Sequence, residues 1–239
     1  MKIYQSILDS KSKKIAVLID PDKYDEKSVN RIIPLAENNS VDFFFVGGSL
    51  SGTDTGGLIS LLKKQTSIPV IIFPGNCMHL SDHADGILFL SLISGRNPEY
   101  LIGQHVNTAL RLKKSRMEII PTGYILIENG KTTSVEYISN TRPIPSDKTD
   151  IVVATAIAGE MLGLRIIYLE AGSGALKCVS PGIVREVKKN ITLPLIVGGG
   201  IRTADEAKKI YEAGADIIVI GSAVEENPYS LTSLCGARF

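Results

Sequence analysis

The sequence contains no tryptophan and few other aromatic residues. Phenylalanine and tyrosine together make up 6% of its 239 residues, which disfavours a surface on which nucleic-acid bases stack. Charge of one sign is also lacking, because 26 basic and 25 acidic side chains give a net charge of +1. Such a balance provides no general field that attracts nucleic acid or an anionic membrane. We therefore expect no nucleic-acid partner.

Cysteine is scarce as well. Cys77, Cys178 and Cys235 are far apart and match no paired zinc or redox spacing, so we expect reduced thiols. Residues 1–15 lack an apolar signal core, and charged residues interrupt every apolar run before about 18 residues. These absences predict a cytoplasmic protein without a transmembrane segment. A peripheral contact with membrane lipid remains open.

Short apolar runs alternate with amphipathic stretches along the whole chain. Most of the runs are rich in Ile, Val and Leu without strict alternation, as is typical of parallel strands buried on both faces. The predicted strands are Ile15–Asp20, Asp42–Gly47, Val70–Phe73, Gly86–Leu90, Ile119–Leu126, Ile166–Glu170, Leu195–Gly198 and Ile217–Gly221.

Helical patterns lie between these runs. The predicted helices include Ser28–Asn38, Pro98–Lys114, Asp150–Gly163 and Thr203–Ala213, the last with Thr203 and Glu206 in a capping-box spacing. Eight strands with intervening helices in about 240 residues predict one (β/α)8 TIM barrel, α/β in class, over residues 1–239. A doubly wound open sheet is the alternative, but no GxGxxG follows the first strand.

Two connections are unusual in length. Residues Pro74–Asp85 are marginal in number for a full crossover helix and contain Pro, Gly, Asn and Asp, so the ring of helices is expected to be open there. An apolar ligand could use the resulting gap in the ring of helices. The polar segment Glu128–Lys148 is predicted to be a long ordered loop.

Three glycine-bearing turns follow the last three predicted strands, at residues 171–175, 198–200 and 221–223. Glycine lets successive backbone N–H groups approach an anion, and the helices that follow two of these turns add partial positive charge. Barrels frequently bind phosphate with the loops after strands seven and eight. The turns therefore predict a phosphate site, with Arg202 nearby, although glycines also serve simply to permit tight turns.

Oxygen-bearing side chains end the first two strands. Asp20 closes strand one and Ser49 follows the glycines after strand two. A carboxylate and a hydroxyl at neighbouring strand ends suit Mg2+ that also binds phosphate oxygens. The alternative is an ordinary turn, since Pro21 follows Asp20.

Tyr168 and Glu170 lie two residues apart on the sixth strand and should point to the same side. Glu170 is a candidate ligand for a polyol hydroxyl or a general base; the alternative is a structural ion pair with a lysine or arginine. His79 and His83 have a helical spacing but no evident third ligand, which disfavours zinc. No GxSxG sequence indicates a nucleophilic serine.

In this order along the chain, five segments resemble the geranylgeranylglyceryl phosphate synthase family: VLIDPDK at 17–23, VGGS at 46–49, YLEAGSGA at 168–175, GGGIR at 198–202 and GSAV at 221–224. The segment SLISGRNP at 91–98 is also similar. The resemblance spans nearly the whole chain, and the combination is far more specific than any single glycine turn.

This resemblance implies a Mg2+-dependent prenyltransferase that joins a polyprenyl diphosphate to the terminal hydroxyl of sn-glycerol 1-phosphate, as in ether-lipid biosynthesis. It implies Asp20 and Ser49 as metal ligands, and we expect Asp20 and Glu170 to be catalytic. Implied substrate-binding residues are Tyr168, Leu169, Glu170, Ala171, Gly172, Ser173, Gly174, Gly199, Gly200, Gly221 and Ser222. The resemblance also implies a modified TIM barrel whose third helix is shortened or replaced by a loop or strand, in agreement with the short Pro74–Asp85 connection. It further implies a homo-oligomer, either dimer or hexamer.

One segment bears on the length of the prenyl chain. The segment AGSGA favours the geranylgeranyl branch over a heptaprenyl branch of the family, for which TyrSerGly is expected. The expected groove for the chain lies near Phe73–His83, with Tyr100 and Leu101. Other phosphate-barrel enzymes, such as an isomerase, a lyase or a flavin-dependent barrel, and a non-catalytic phosphate binder remain alternatives.

Overall fold

A computed structural model describes residues 2–9, 12–49 and 54–238. Eight parallel strands close into a barrel in sequence order, with β1 paired to both β2 and β8. The strands are β1 (Lys14–Ile19), β2 (Phe43–Val46), β3 (Val70–Ile72), β4 (Gly86–Leu92), β5 (Glu118–Leu126), β6 (Ile166–Glu170), β7 (Leu195–Gly198) and β8 (Ile217–Ile220). The predicted TIM barrel is confirmed, whereas its extent as one domain over residues 1–239 stays a prediction.

The helices surround the barrel. They are α1 (Ile3–Leu8), α2 (Glu26–Asn38), α3 (Thr55–Gln65), α4 (Gln104–Lys114), α5 (Ser134–Ser139), α6 (Thr149–Met161), α7 (Pro181–Asn190), α8 (Ala204–Glu212), α9 (Ser222–Glu226) and α10 (Ser230–Cys235). The capping box of α8 is present, with Thr203 and Glu206 bonding reciprocally. Within the described ranges, no helix is long and apolar enough to cross a bilayer.

Several element boundaries differ from the sequence prediction for local reasons. Helix α2 begins at Glu26 because the Asp25 side chain caps it by accepting from the Ser28 N–H. The predicted helix over 98–114 is two elements, a π-helical segment at Glu99–Gly103 followed by α4. Strand β4 continues to Leu92, which pairs with Tyr124 of β5.

The connection between β3 and β4 contains no helix, as expected, and this part of the chain is fully described. The barrel nevertheless closes there, because Ile71 pairs with Gly86. Only the outer ring of helices is open. The segment after β5 is not simply a loop, since it contains α5 and a bridge between Ile127 and Ile144.

Two apolar layers stabilise the fold. Alternate strand residues point into the barrel, where Phe45 and Tyr168 are almost fully buried, or outward toward the helices, where Leu169 and Val197 are buried. Helix α1 covers the N-terminal end of the barrel, with the Glu118 carboxylate accepting from the N–H groups of its first residues. The C-terminal end of the strands is left open for a site.

Candidate active site

A cavity of about 220 Å³ opens at the C-terminal ends of the strands. It collects side chains or backbone from the ends of β1, β2, β6, β7 and β8, as expected for a functional site of a barrel. Ten of the residues expected from the sequence line it: Asp20, Ser49, Tyr168, Glu170, Ser173, Gly174, Gly199, Gly200, Gly221 and Ser222. Arg202 also lines this cavity and forms an ion pair of 2.9 Å with Glu226.

Three predicted substrate-binding residues do not line the cavity. Leu169 points outward into the core between barrel and helices, because neighbouring residues of a strand face opposite sides. Ala171 is buried, and its carbonyl accepts from the Asn129 side chain. Gly172 contributes through its backbone, since its N–H donates to Glu170 Oε1 over 2.6 Å. Contact with substrate through the Leu169 side chain is therefore not supported.

Glu170 is the only acidic side chain among the buried residues that the structure describes. Among the described residues, no lysine or arginine forms the ion pair with Glu170 that was considered from the sequence; the hydroxyls of Tyr168 and Tyr124 are its side-chain donors. Burial raises the pKa of Glu170 from 4.5 to about 7, although the three hydrogen bonds from Gly172, Tyr168 and Tyr124 oppose that rise. A carboxyl that titrates near neutral pH is suited to accept a proton.

The glycine turns make room for this carboxyl. A Cβ atom on Gly198 would lie 2.2 Å from Tyr168 Oη, and one on Gly199 would lie 2.3 Å from Glu170 Oε1. Gly199 and Gly200 also have φ values of +79° and +71°, which favour glycine. Any larger residue would therefore displace the groups of the cavity.

Asp20 lies at the opposite side of the same cavity. Its carboxyl is next to the backbone of Gly48, where an added Cβ would be 3.5 Å away, and Ser49 follows immediately. Lys23 Nζ lies 3.6 Å from Asp20 and 2.8 Å from Glu225. Although partial burial lowers the pKa of Lys23, the hydrogen bond to Glu225 and the charges of both acids raise it overall. Lys23 therefore presents a positive charge to the cavity.

An apolar groove adjoins the polar cavity. Gly48, Ser49, Phe73, Tyr124 and Val135 line both spaces. The remaining groove residues come from the β3–β4 connection, β4, the π-helical segment, α4 and α5: Pro74, Gly75, Asn76, Cys77, Leu80, Ile87, Phe89, Leu90, Leu92, Tyr100, Gln104, His105, Thr108, Ile138 and Ser139. The β3–β4 connection, which contains no helix, thus forms one wall of this apolar groove.

Two details of the expected groove differ. Leu101 does not line it, because the next position on a helix turns away; its carbonyl instead accepts from Ser91 Oγ over 3.1 Å. His79 is buried outside the groove lining and His83 is exposed. The His79 Nδ1 accepts from the Gly75 N–H over 3.1 Å. Among the described residues, no group of three or more His, Cys, Asp or Glu side chains could hold a metal.

Sequence reasoning missed Tyr124, Lys23 and Glu225. Tyr124 faces Glu170 because β5 and β6 pair it directly with Tyr168. Lys23 meets Glu225 across 202 positions of sequence because β1 and β8 are neighbours in the closed barrel. The lysine stands inside the VLIDPDK segment, so its place after a strand end was a usable signal.

Comparisons with known proteins agree over nearly the whole chain. The PcrB family profile matches residues 8–235. A protein named geranylgeranylglyceryl phosphate synthase from Spirosoma linguale is 48% identical, covering 98% of this chain and 94% of its own. A protein of the same name from Pyrococcus abyssi is 44% identical, covering 91% of this chain and 86% of its own.

Solved structures give the same relationship. The crystal structure of (S)-3-O-geranylgeranylglyceryl phosphate synthase from Thermoplasma acidophilum, in complex with substrate sn-glycerol-1-phosphate, has a TM-score of 0.94 and 34% identity. The match covers 99% of this chain and 98% of that chain. An N-acetylmannosamine-6-phosphate 2-epimerase from Clostridium perfringens, at 16% identity and a TM-score of 0.57, shares the fold alone.

Proposed function

The chain belongs to the PcrB family, and from this premise we propose that it transfers a geranylgeranyl group from geranylgeranyl diphosphate to the terminal hydroxyl of sn-glycerol 1-phosphate. The product is an ether, so the chain acts as a prenyltransferase of ether-lipid biosynthesis. The observation that carries the proposal is the direct connection between a polar cavity and an apolar groove. One substrate is small and anionic, and the other has an anionic head and a long apolar chain.

The glycine turns support binding of the glycerol phosphate. Gly172, Gly174, Gly199 and Gly200 all have positive φ, which brings backbone close to the cavity. Gly221 has a negative φ of −127° and instead precedes the first residue of α9. With the phosphate at these turns, the glycerol hydroxyls extend toward Tyr168 and Glu170.

Glu170 is suited to accept the proton of the attacking hydroxyl. Its pKa of about 7 keeps a substantial fraction ionised at neutral pH and still gives a base of useful strength. The hydroxyl oxygen forms the new bond to the first prenyl carbon, the carbon–oxygen bond to the diphosphate breaks, and the diphosphate leaves with the bonding electrons. Holding the two reactants in this geometry supplies much of the rate.

Mg2+ is the proposed cofactor, held by Asp20 and Ser49. These residues fit a hard cation, because a carboxylate and a hydroxyl both line the same cavity. So small a protein ligand set is typical of Mg2+ that shares its coordination with water and substrate phosphates. When bound, the ion supplies neutralisation of charge on the leaving diphosphate. Lys23 lies beside Asp20 and adds a second positive charge.

The decisive test is a product assay with purified protein, labelled sn-glycerol 1-phosphate, Mg2+ and prenyl diphosphates of ten to thirty-five carbons. We expect an organic-extractable product that is greatest with the twenty-carbon donor and disappears with a chelator. Asp20→Asn should lower turnover by about 10²–10³ at any Mg2+ concentration. The matched control is Asp82→Asn, since Asp82 is exposed and lies outside both spaces.

Other outcomes separate the alternatives. A maximum at thirty-five carbons would retain the mechanism and assign a heptaprenyl donor instead. Absence of product with every donor would contradict the prenyltransferase proposal and favour another phosphate-barrel enzyme or a binding protein. Normal turnover of Asp20→Asn would remove this residue from the metal site.

We further propose that the chain acts in the cytoplasm as a homo-oligomer, with at most a peripheral membrane contact. Exposed apolar residues on α6 and directly after it, Ile151, Met161 and Leu162, support a contact between copies. Light scattering reports the mass of the assembly. Flotation with lipid vesicles tests the membrane contact separately.

A further inference from the structure

Three aromatic rings stand where the polar cavity meets the apolar groove. The Tyr124 ring centroid lies 5.2 Å from that of Tyr168 and 5.9 Å from that of Phe73. The Phe73 and Tyr168 centroids are 5.6 Å apart. Of the three, Tyr124 and Phe73 line both spaces, whereas Tyr168 lines only the polar cavity. The rings therefore form a continuous aromatic wall at the junction.

The reacting bond must lie at this junction if the proposed function holds. The diphosphate of the donor belongs at the Asp20 and Ser49 side of the polar cavity, and its chain belongs in the groove. The bond between the first prenyl carbon and the diphosphate oxygen joins these two parts. As that bond breaks, positive charge develops on an allylic carbon beside the three aromatic rings.

We propose that Tyr124 is a catalytic residue through its ring and a positioning residue through its hydroxyl. The ring face stabilises the positive charge on the allylic carbon, since aromatic faces attract cations most strongly where water is excluded. The hydroxyl donates to Glu170 and holds its carboxyl toward the glycerol hydroxyl. This inference rests on the proposed transfer and adds a specific source of charge stabilisation within it.

The position of Tyr124 supports both roles. Its ring packs against both Phe73 and Tyr168 in a cluster of three rings, and only 5% of the residue is exposed. Its partner in the register of β5 and β6 is Tyr168, so both tyrosines point into the barrel beside Glu170. The pKa of Tyr124 is raised by burial and by the charge of Glu170, so the phenol remains protonated and can donate.

The ring is tested by a series of nearly isosteric replacements. Phenylalanine and its mono-, di- and trifluorinated forms are introduced at position 124 by amber suppression, and kcat is measured with geranylgeranyl diphosphate. Each fluorine withdraws charge from the ring face, so we expect a stepwise fall of about tenfold across the series. KM for glycerol phosphate should remain constant. A flat series in an active enzyme would overturn the role of the ring.

The hydroxyl is tested by Tyr124→Phe alone. Loss of a donor destabilises the Glu170 carboxylate relative to its acid, so the pH inflection of kcat/KM should move upward from its wild-type position. An unchanged inflection would overturn the positioning role. Tyr124→Leu removes ring and hydroxyl together, and its kcat should fall below that of every member of the fluorinated series.

Tyr211 provides the matched control. It is equally buried, and its hydroxyl donates to the Lys14 carbonyl over 2.8 Å at the N-terminal end of the barrel. The same replacements at position 211 should leave kcat and the pH inflection unchanged. If the wild-type chain forms no product with any prenyl donor, the transfer and the inference on Tyr124 both fail. Product from the wild type with a flat series rejects only the inference.

Discussion

Glu170 shows how a single side chain links stability with chemistry. Its carboxyl is enclosed by the barrel, and burial raises its pKa from 4.5 to about 7 despite three donors. The folded protein therefore retains a proton that the unfolded chain releases between these two pH values. The contribution of this carboxyl to the free energy of unfolding is fully present below about pH 4.5 and is lost as the pH rises through 7. The same shift gives a base that works near neutral pH.

Replacing Glu170 by glutamine should remove this pH dependence. The free energy of unfolding of Glu170→Gln, relative to wild type, should increase by up to about 3 kcal/mol between pH 4.5 and pH 8. Turnover should fall by about 10²–10³ because the base is absent. Urea denaturation at several pH values and steady-state kinetics measure the two effects.

The exposed Glu212 provides the comparison for this substitution. Glu212→Gln should change neither the pH profile of unfolding nor turnover. A stability difference for Glu170→Gln that is independent of pH would contradict the raised pKa. Unchanged kinetics would make Glu170 a structural residue.

The turn after β7 is the element in which backbone conformation and site geometry coincide most closely. Gly199 has φ +79°, and an added Cβ would lie 2.3 Å from Glu170 Oε1 and 2.7 Å from the Gly172 nitrogen. Gly163 has a similar φ of +84°, but nothing lies within 4 Å of its added Cβ. The two glycines therefore separate the cost of the backbone conformation from the cost of crowding.

Alanine at these two positions should give different results. Gly163→Ala should destabilise the fold by about 1–2 kcal/mol, because alanine disfavours positive φ, and Gly199→Ala should destabilise it more, because its Cβ also crowds Glu170 and the Gly172 backbone. Only Gly199→Ala should also lower kcat/KM for glycerol phosphate, by about a hundredfold, since it displaces Glu170 and the Gly172 backbone. Denaturant unfolding and steady-state kinetics distinguish the effects. Equal kinetics for both variants would show that the turn does not shape the site.

Helix α4 has one face toward the groove and another toward solvent. Thr108 is buried and lines the groove, whereas Val106 is exposed on the same helix. Thr108→Trp should fill the channel and lower activity with the twenty-carbon donor at least about tenfold, while a ten-carbon donor is still used. Val106→Trp should leave the profile unchanged. The amount of product is measured for each donor length in both variants. If the two variants give the same dependence on donor length, the prenyl chain does not bind in this groove.

The sequence predicts the secondary-structure elements better than it predicts which of their residues come together in the site. Buried β-branched runs located all eight strands, because both faces of these strands are covered. It did not reveal Tyr124, since an inward aromatic on β5 has the same pattern whether it fills a core or faces Glu170. Strand register decides between these, and register depends on the closed barrel. The pairing of Lys23 with Glu225 depends on that closure as well.

At the scale of the whole molecule, the exposed surface of α6 is unusually apolar for a helix on the outside of a barrel. Ile151 and Met161 on this helix, and Leu162 directly after it, are exposed by 46%, 83% and 77%. The exposed positions between them include Ala154 and Ala158, which allow another surface to approach closely. An apolar helical face of this kind is typical of contacts between copies of a chain.

A charge on this face should therefore weaken the assembly. Met161→Asp should lower the mass measured by light scattering, because a carboxylate buried in an apolar interface loses its hydration. Circular dichroism should show an intact barrel, since Met161 makes no part of the core. Leu110→Asp is the control, as Leu110 is exposed by 80% on α4. If Leu110→Asp reduces the mass and Met161→Asp does not, the contact lies on α4 instead; if neither does, the exposed face of α6 is not an interface.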